Sequence, residues 1–212
     1  RGWSDMYPEL QFFKDFPEGP RKVATFVTDI PNRGFAAGAI ITKNPPTKNW
    51  EVSERFHPMY GKFTASEDLT VVGRTMGYRS IEVYRYAEVL LIYAEAKAAS
   101  GGFDATALSA LNQVKRRAAG LDPNTPNAAV DATSATVQDI IDEKGWELAA
   151  EHKRWFDLVR TETLESAILK RDPTEQVPLV RQPGKAQYIS PIPAEAIATS
   201  KLVQNPQGFK IQ

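Results

Sequence analysis

The chain has 212 residues, 42% hydrophobic and 25% charged, which is ordinary for a globular body large enough to bury a real core. Lysine plus arginine and aspartate plus glutamate both number 26, and this zero net charge argues against nucleic acid as the main partner. There is no cysteine, which excludes disulfides and thiol chemistry, and the longest apolar runs, FAAGAII (35–41) and VLLIYA (89–94), are far too short to span a bilayer.

In chain order, the opening Arg1-Gly2-Trp3 shows neither an initiator methionine nor a signal-peptide pattern, so an internal piece of a longer protein is expected. Residues 1–80 lack sustained helical periodicity and are rich in turn formers and aromatics, the composition of a loop-rich functional surface. Within them, YPELQFF (7–13) reads as a short helix with proline in its first turn. VATFVT (23–28) reads as a strand with Val23, Thr25 and Val27 on one side.

Residues 81–120 carry the clearest pattern, two amphipathic helices folded back on one another. Val83, Ala87, Leu90, Leu91, Ala94 and Ala98 recur at helical spacing, and their small alanines let a neighbour approach closely. Gly101-Gly102 ends the first helix, and Asp104 caps a second carrying Leu108, Leu111, Val114 and Ala118 inward, with Gly120 as its stop. The alanine face is expected either to be covered by an added segment or to stand as an open apolar patch.

A polar loop (121–135) follows, then a third helix from Ser134 with Val137, Ile140, Ile141, Leu148 and Ala149 inward. It is expected to break near Gly145 or to merge into a fourth pattern, WFDLVRTETLESAIL (155–169). The stretch 171–193 holds five prolines, and Pro191-Ile192-Pro193 leads a short helix, AEAIATS (194–200). The predicted fold is all-α: a tetratricopeptide-like helical hairpin scaffold (81–212) with long irregular loops and few short strands.

Little in this pattern points to reaction chemistry. His57 and His152 lack partners at metal-ligand spacing, so no metal is expected, and no nucleotide-binding or hydrolase motif calls for a cofactor. Glu143, Glu147 and Glu151 stack at intervals of four, with Asp157 beyond, and paired carboxylates serve glycoside hydrolysis. The stronger reading is a charged lattice with Lys144, Lys153, Arg154 and Arg160. Arg85, Glu88 and Glu95 border the apolar helix face, where charged residues tend to pair across to other elements. Arg154 and Asp157 are expected to tie loops, while Trp155 packs.

Three stretches occur in the order and spacing of one family: RYAEVLLIYAEA (85–96), IIDEKGWELAAEHKRWFDLVR (140–160) and ISPIPAEAI…LVQNPQGF (189–209). FPEGPRKVATFV (16–27) adds a fourth likeness. Together they resemble the C-terminal portion of the SusD/RagB family of outer-membrane nutrient-binding lipoproteins. The chain departs from that pattern at Gly145, where a bulkier helix former is usual. It departs again at Glu151-His152-Lys153, which replaces the common Glu-Gly-His or Glu-Gly-Lys.

The resemblance implies a non-catalytic protein that binds a glycan or other nutrient at the cell surface. The membrane anchor would be a lipid outside this stretch, and the partner a TonB-dependent, SusC-like outer-membrane transporter. It also implies a shallow arc of aromatic rings on loops. Aromatic rings stack on the apolar faces of sugars while polar neighbours bond the hydroxyls, so Trp3, Trp50 and Tyr60, with Asn49 and Arg55, are the expected ligand residues. Two other readings stand beside this one. The first is a protein-interaction scaffold of tetratricopeptide type. The second is a glycosidase using Glu143, Glu147 or Asp157, which needs two carboxyl groups facing one cleft about 5–10 Å apart.

Overall fold

The computed structural model describes residues 7–31, 47–53, 56–62, 82–175, 184–185 and 188–204, and the chain divides into two compact units, Arg1–Lys153 and Arg154–Gln212. The first begins with two short helices, α1 (Leu10–Asp15) and α2 (Pro20–Thr25). Two minimal antiparallel ladders follow. Strand β1 (Phe26–Val27) pairs with β4 (Met59–Tyr60), and β2 (Asp29–Pro31) pairs with β3 (Thr47–Asn49). Three longer helices follow: α3 (Tyr86–Ala99), α4 (Ala105–Ala118) and α5 (Val137–Glu147).

The helical hairpin forms as its sequence predicts. The Gly101 N–H reaches the Ala98 carbonyl at 3.1 Å and the Gly102 N–H reaches that of Lys97 at 2.9 Å, a Schellman closure with Gly101 left-handed at φ 74°. Asp104 caps α4 by accepting from the N–H groups of Thr106 and Ala107 at 3.0 and 2.9 Å. Gly120 repeats the first device at the far end of α4, with φ 75°. Thr136 and Asp139 open α5 as a capping box, two residues after the expected start.

The core joins Ala87, Leu91 and Ala94 of α3 to Leu111 and Val114 of α4 and Ile140 of α5. The alanine face is therefore covered by α4 and α5 themselves. The opposite side of α3 is the open one: Tyr86, Val89, Ile92 and Tyr93 are 70%, 50%, 44% and 41% exposed. Helix α3 is apolar on both sides; among the described residues the alanine side is buried, while the other side stays largely exposed, with Tyr93 Oη bonded to Thr106 Oγ1 at 2.8 Å. Val83, expected inward, precedes the helix and is exposed.

Several other expectations are corrected. In VATFVT the first residues belong to α2, because Pro20 at its first position presets helical φ; Val23 is exposed and only Phe26–Val27 is strand. The first helix starts at Leu10 with Glu9 as its cap, so Pro8 lies just outside it. Helix α5 runs through the buried Gly145 without a break and stops after Glu147.

The second unit, taken by itself, splits the expected fourth helix into α6 (Arg154–Arg160) and α7 (Leu164–Leu169). Between them the Thr163 N–H closes on the Leu158 carbonyl at 2.9 Å, with Glu162 left-handed at φ 54°. Trp155, expected to pack, is 47% exposed, and the neighbouring Phe156 is exposed as well. A 3₁₀ turn (Pro173–Glu175) precedes α8 (Ala194–Ser200), which Pro193 enters in extended geometry as predicted.

Candidate functional site

The aromatics of the first segment build a layer of their own. Phe16 and Phe26 are buried and cross edge to face at 5.0 Å. Phe13 meets Phe26 edge-on at 5.1 Å, and Phe12 meets Phe16 at 5.7 Å. Tyr60, opposite Phe26 in the β1–β4 ladder, stacks on it at 5.6 Å. Buried Ala149 and half-buried Trp146 close the layer from the α5 side.

Trp50 lies at the rim of this layer, in the 3₁₀ turn that follows β3. Its backbone N–H donates to the Thr28 carbonyl at 2.8 Å. Its ring contacts Phe13 edge to face at 5.7 Å and is half-buried. Asn49, directly before it, is exposed; its side-chain oxygen caps the turn by accepting from the Glu51 N–H at 2.9 Å. Asn49 and Trp50 are thus adjacent on one rim. Tyr60 sits deeper, and burial, with the charge of Glu9, pushes its phenol up to about 12. Trp3 and Arg55 lie outside the described residues.

The acidic row forms the second arrangement, and its chemistry is structural. Arg21 Nη1 donates to Glu143 Oε1 at 2.5 Å and to Glu147 Oε2 at 3.1 Å. Arg85 donates to Glu147 Oε1 at 2.6 Å and through Nε to both oxygens of Glu151, at 3.0 and 2.8 Å. Arg117 reaches Glu147 Oε1 at 2.8 Å. Lys62 pairs with Glu151 and donates to the Glu147 carbonyl at 2.7 Å. Glu147 therefore meets three guanidinium groups while its own side chain is only 2% exposed.

The titration shifts follow from this packing. For Glu151, burial pushes the carboxyl up, but the hydrogen bonds from Arg85 and Lys62 outweigh it and hold the group below its ordinary value. For Lys62, burial pulls the ammonium down; Glu151 draws it back up, while Arg85 repels it. The shared guanidinium of Arg85 thus favours the carboxylate and penalises the ammonium beside it.

The lattice of ion pairs predicted for these acids exists, with Asp157 paired to Arg160 as expected and the three glutamates paired to different partners. Lys144 pairs with Glu95 at 3.2 Å, Lys153 with Glu88 at 3.1 Å, and Arg160 with Asp157 at 2.6 Å. The cations on Glu143, Glu147 and Glu151 come instead from Arg21, Lys62, Arg85 and Arg117. Arg21 stands 122 residues from Glu143 and Lys62 stands 89 from Glu151, and no local spacing signals such a meeting. These three glutamates are bound to arginine and lysine, which weighs against their serving as an acid–nucleophile pair. Among the described residues, no group of three or more His, Asp or Glu is arranged to hold a metal ion. Nor, among them, is any helix long and apolar enough to cross a membrane.

Comparison with known proteins gives a consistent result. The sequence pattern of the SusD family matches residues 36–208. A SusD-like protein P2 from Formosa agariphila is 32% identical over 132 residues, 59% of this chain and 25% of that protein. The structure of surface glycan-binding protein A from Bacteroides uniformis superposes with a TM-score of 0.65 at 25% identity, covering 97% of this chain and 42% of that one. A SusD homolog from Bacteroides thetaiotaomicron shares the fold with a TM-score of 0.53 at 19% identity, over 93% of this chain and 41% of the other. The chain thus spans less than half the length of each of these relatives.

Proposed function

The chain belongs to the SusD family, and from that premise we propose that it takes part in glycan capture without catalysing a reaction. The observation that carries this reading is the likeness, over 97% of the chain, to a structure named as a surface glycan-binding protein. The local geometry supports it. A rim of aromatic and amide groups, Trp50 with Asn49, stands on a packed aromatic base, while the acidic row that would serve hydrolysis is bound to arginine and lysine.

In this reading Trp50 is the stacking platform and Asn49 the polar neighbour. Tyr60, stacked on Phe26, supports the platform from beneath, and Trp3 and Arg55 are proposed as further ligand residues on the sequence alone. Shallow stacking gives weak affinity, a Kd on the order of 10⁻⁴–10⁻³ M or about 4–5.5 kcal/mol, which suits a protein that must pass its ligand on. The recipient is a TonB-dependent, SusC-like transporter, and the place of action is the outer face of the outer membrane.

Calorimetric titration with a panel of oligosaccharides tests the assignment. Trp50→Ala is expected to weaken binding about tenfold, the loss of about 1.4 kcal/mol of stacking. Unchanged affinity in that variant removes Trp50 from the site. The competing reading, a protein-interaction scaffold, draws on the open apolar side of α3. The same titration run with peptides separates the two.

A further inference from the structure

The aromatic layer and the three long helices are distant in sequence, and two kinds of contact join them. One is apolar: Ala149 and Trp146 lie against Phe16 and Phe26, and a Cβ placed on Gly120 would stand 3.4 Å from the Pro20 ring. Apolar contact brings surfaces together but fixes their relative register only loosely. The other is directional. Arg21, in α2, grips Glu143 and Glu147 of α5, and its guanidinium lies 5.7 Å from the centre of the Phe16 ring. Lys62, two residues past β4, grips Glu151 and the Glu147 carbonyl.

These two attachment points bracket the backbone that carries Trp50. From Arg21 the chain runs through β1 to Thr28, whose carbonyl accepts the Trp50 N–H. From Lys62 it runs back through Gly61, whose N–H donates to the Thr25 carbonyl at 2.7 Å, and Tyr60, paired with Phe26. Both strands of the ladder that supports the rim are therefore tied, at the Phe26–Tyr60 end, to the same carboxylate row. All five side chains in the two ties are largely buried, at 24% exposure or less, and such pairs are screened far less than surface ones.

We propose that Arg21 and Lys62 are positioning residues, and that their ion pairs with Glu143, Glu147 and Glu151 hold the aromatic layer in the register in which Trp50 and Asn49 meet the glycan. This rests on the glycan reading of Trp50. Neither cation touches the ligand; each acts through the backbone between it and Trp50.

The test uses the full 212-residue chain and the variants Arg21→Gln, Lys62→Gln and the double. The milder Arg21→Lys covers the case in which the double variant fails to fold. The charge exchange Arg21→Glu with Glu143→Arg serves as rescue. Hydrogen exchange followed by mass spectrometry is read separately over 22–31, 47–62, α3 and α4, and oligosaccharide affinity is measured on the same samples.

The expected result is exchange faster by about tenfold in 22–31 and 47–62 with α3 and α4 unchanged. Affinity should fall by about fivefold or more, and the charge exchange should restore both in part, since Glu147 still faces position 21. A uniform acceleration across all segments, or none in 47–62, overturns the proposal, since the pairs would then serve general stability alone. Loosened 47–62 with full affinity overturns its functional half. A wild-type chain that binds no oligosaccharide sinks the glycan reading and that functional half together, while the exchange pattern still decides whether the clamp sets the layer.

Discussion

Glu147 shows how much one side chain can organise. Its carboxylate meets the guanidinium groups of Arg21, Arg85 and Arg117; without it Arg21 keeps Glu143, Arg85 keeps Glu151 and Arg117 is exposed to solvent. Glu147→Ala is expected to cost about 1–3 kcal/mol in denaturant unfolding, the range for partly buried donors that lose one of their acceptors. Glu151 makes the pH dependence explicit. Its folded pKa lies below the unfolded value of 4.5, so the stability it contributes is complete above that value and is lost as the pH falls through the folded one. Melting curves from pH 7 down to 3 should show an acid limb that Glu151→Gln flattens. His152 is a different kind of residue. It is left-handed at φ 60°, and it stands in the Glu-His-Lys stretch where glycine is common in the family pattern. The left-handed conformation costs a side-chain-bearing residue about 1–2 kcal/mol, and glycine's extra chain entropy offsets part of that gain. His152→Gly is therefore expected to stabilise by about 0.5–1 kcal/mol, measured as an upward shift in the denaturation midpoint.

Among the elements, α3 carries the most weight because it is apolar on both sides while, among the described residues, only one is buried. Leu91, fully buried between α4 and α5, and Val89, half exposed on the far side, provide an internal control within three residues. Leu91→Ala is expected to cost about 2–5 kcal/mol, and Val89→Ala to stay within about 0.5 kcal/mol. Chemical denaturation distinguishes them; equal effects would mean that the outer side is packed as well. The caps are elements of the same logic. Asp104 satisfies two backbone donors of α4, so Asp104→Ala should cost about 1 kcal/mol.

At the scale of the molecule, much of the helical body was legible from the chain alone. Helical spacing in 86–99 and 105–118, glycines at Gly101 and Gly120, and caps at Asp104 and Pro193 are local signals, readable because each acts within a turn or two of itself. Three motifs in order identified the family for the same reason, since order along the chain survives without coordinates. What tertiary structure alone decided is who meets whom. The cations on Glu143, Glu147 and Glu151 come largely from far along the chain, and nearby lysines were the wrong guess because pairing depends on distance in space. Likewise, periodicity showed that α3 has an alanine face but not that α4 and α5 cover it, leaving Tyr86, Val89 and Ile92 open. Whether an aromatic such as Tyr60 lies in the packed layer or Trp50 at its rim also depends on chain crossings that no short window contains. Local conformational preference is written residue by residue; burial and ion pairing are properties of the assembled chain.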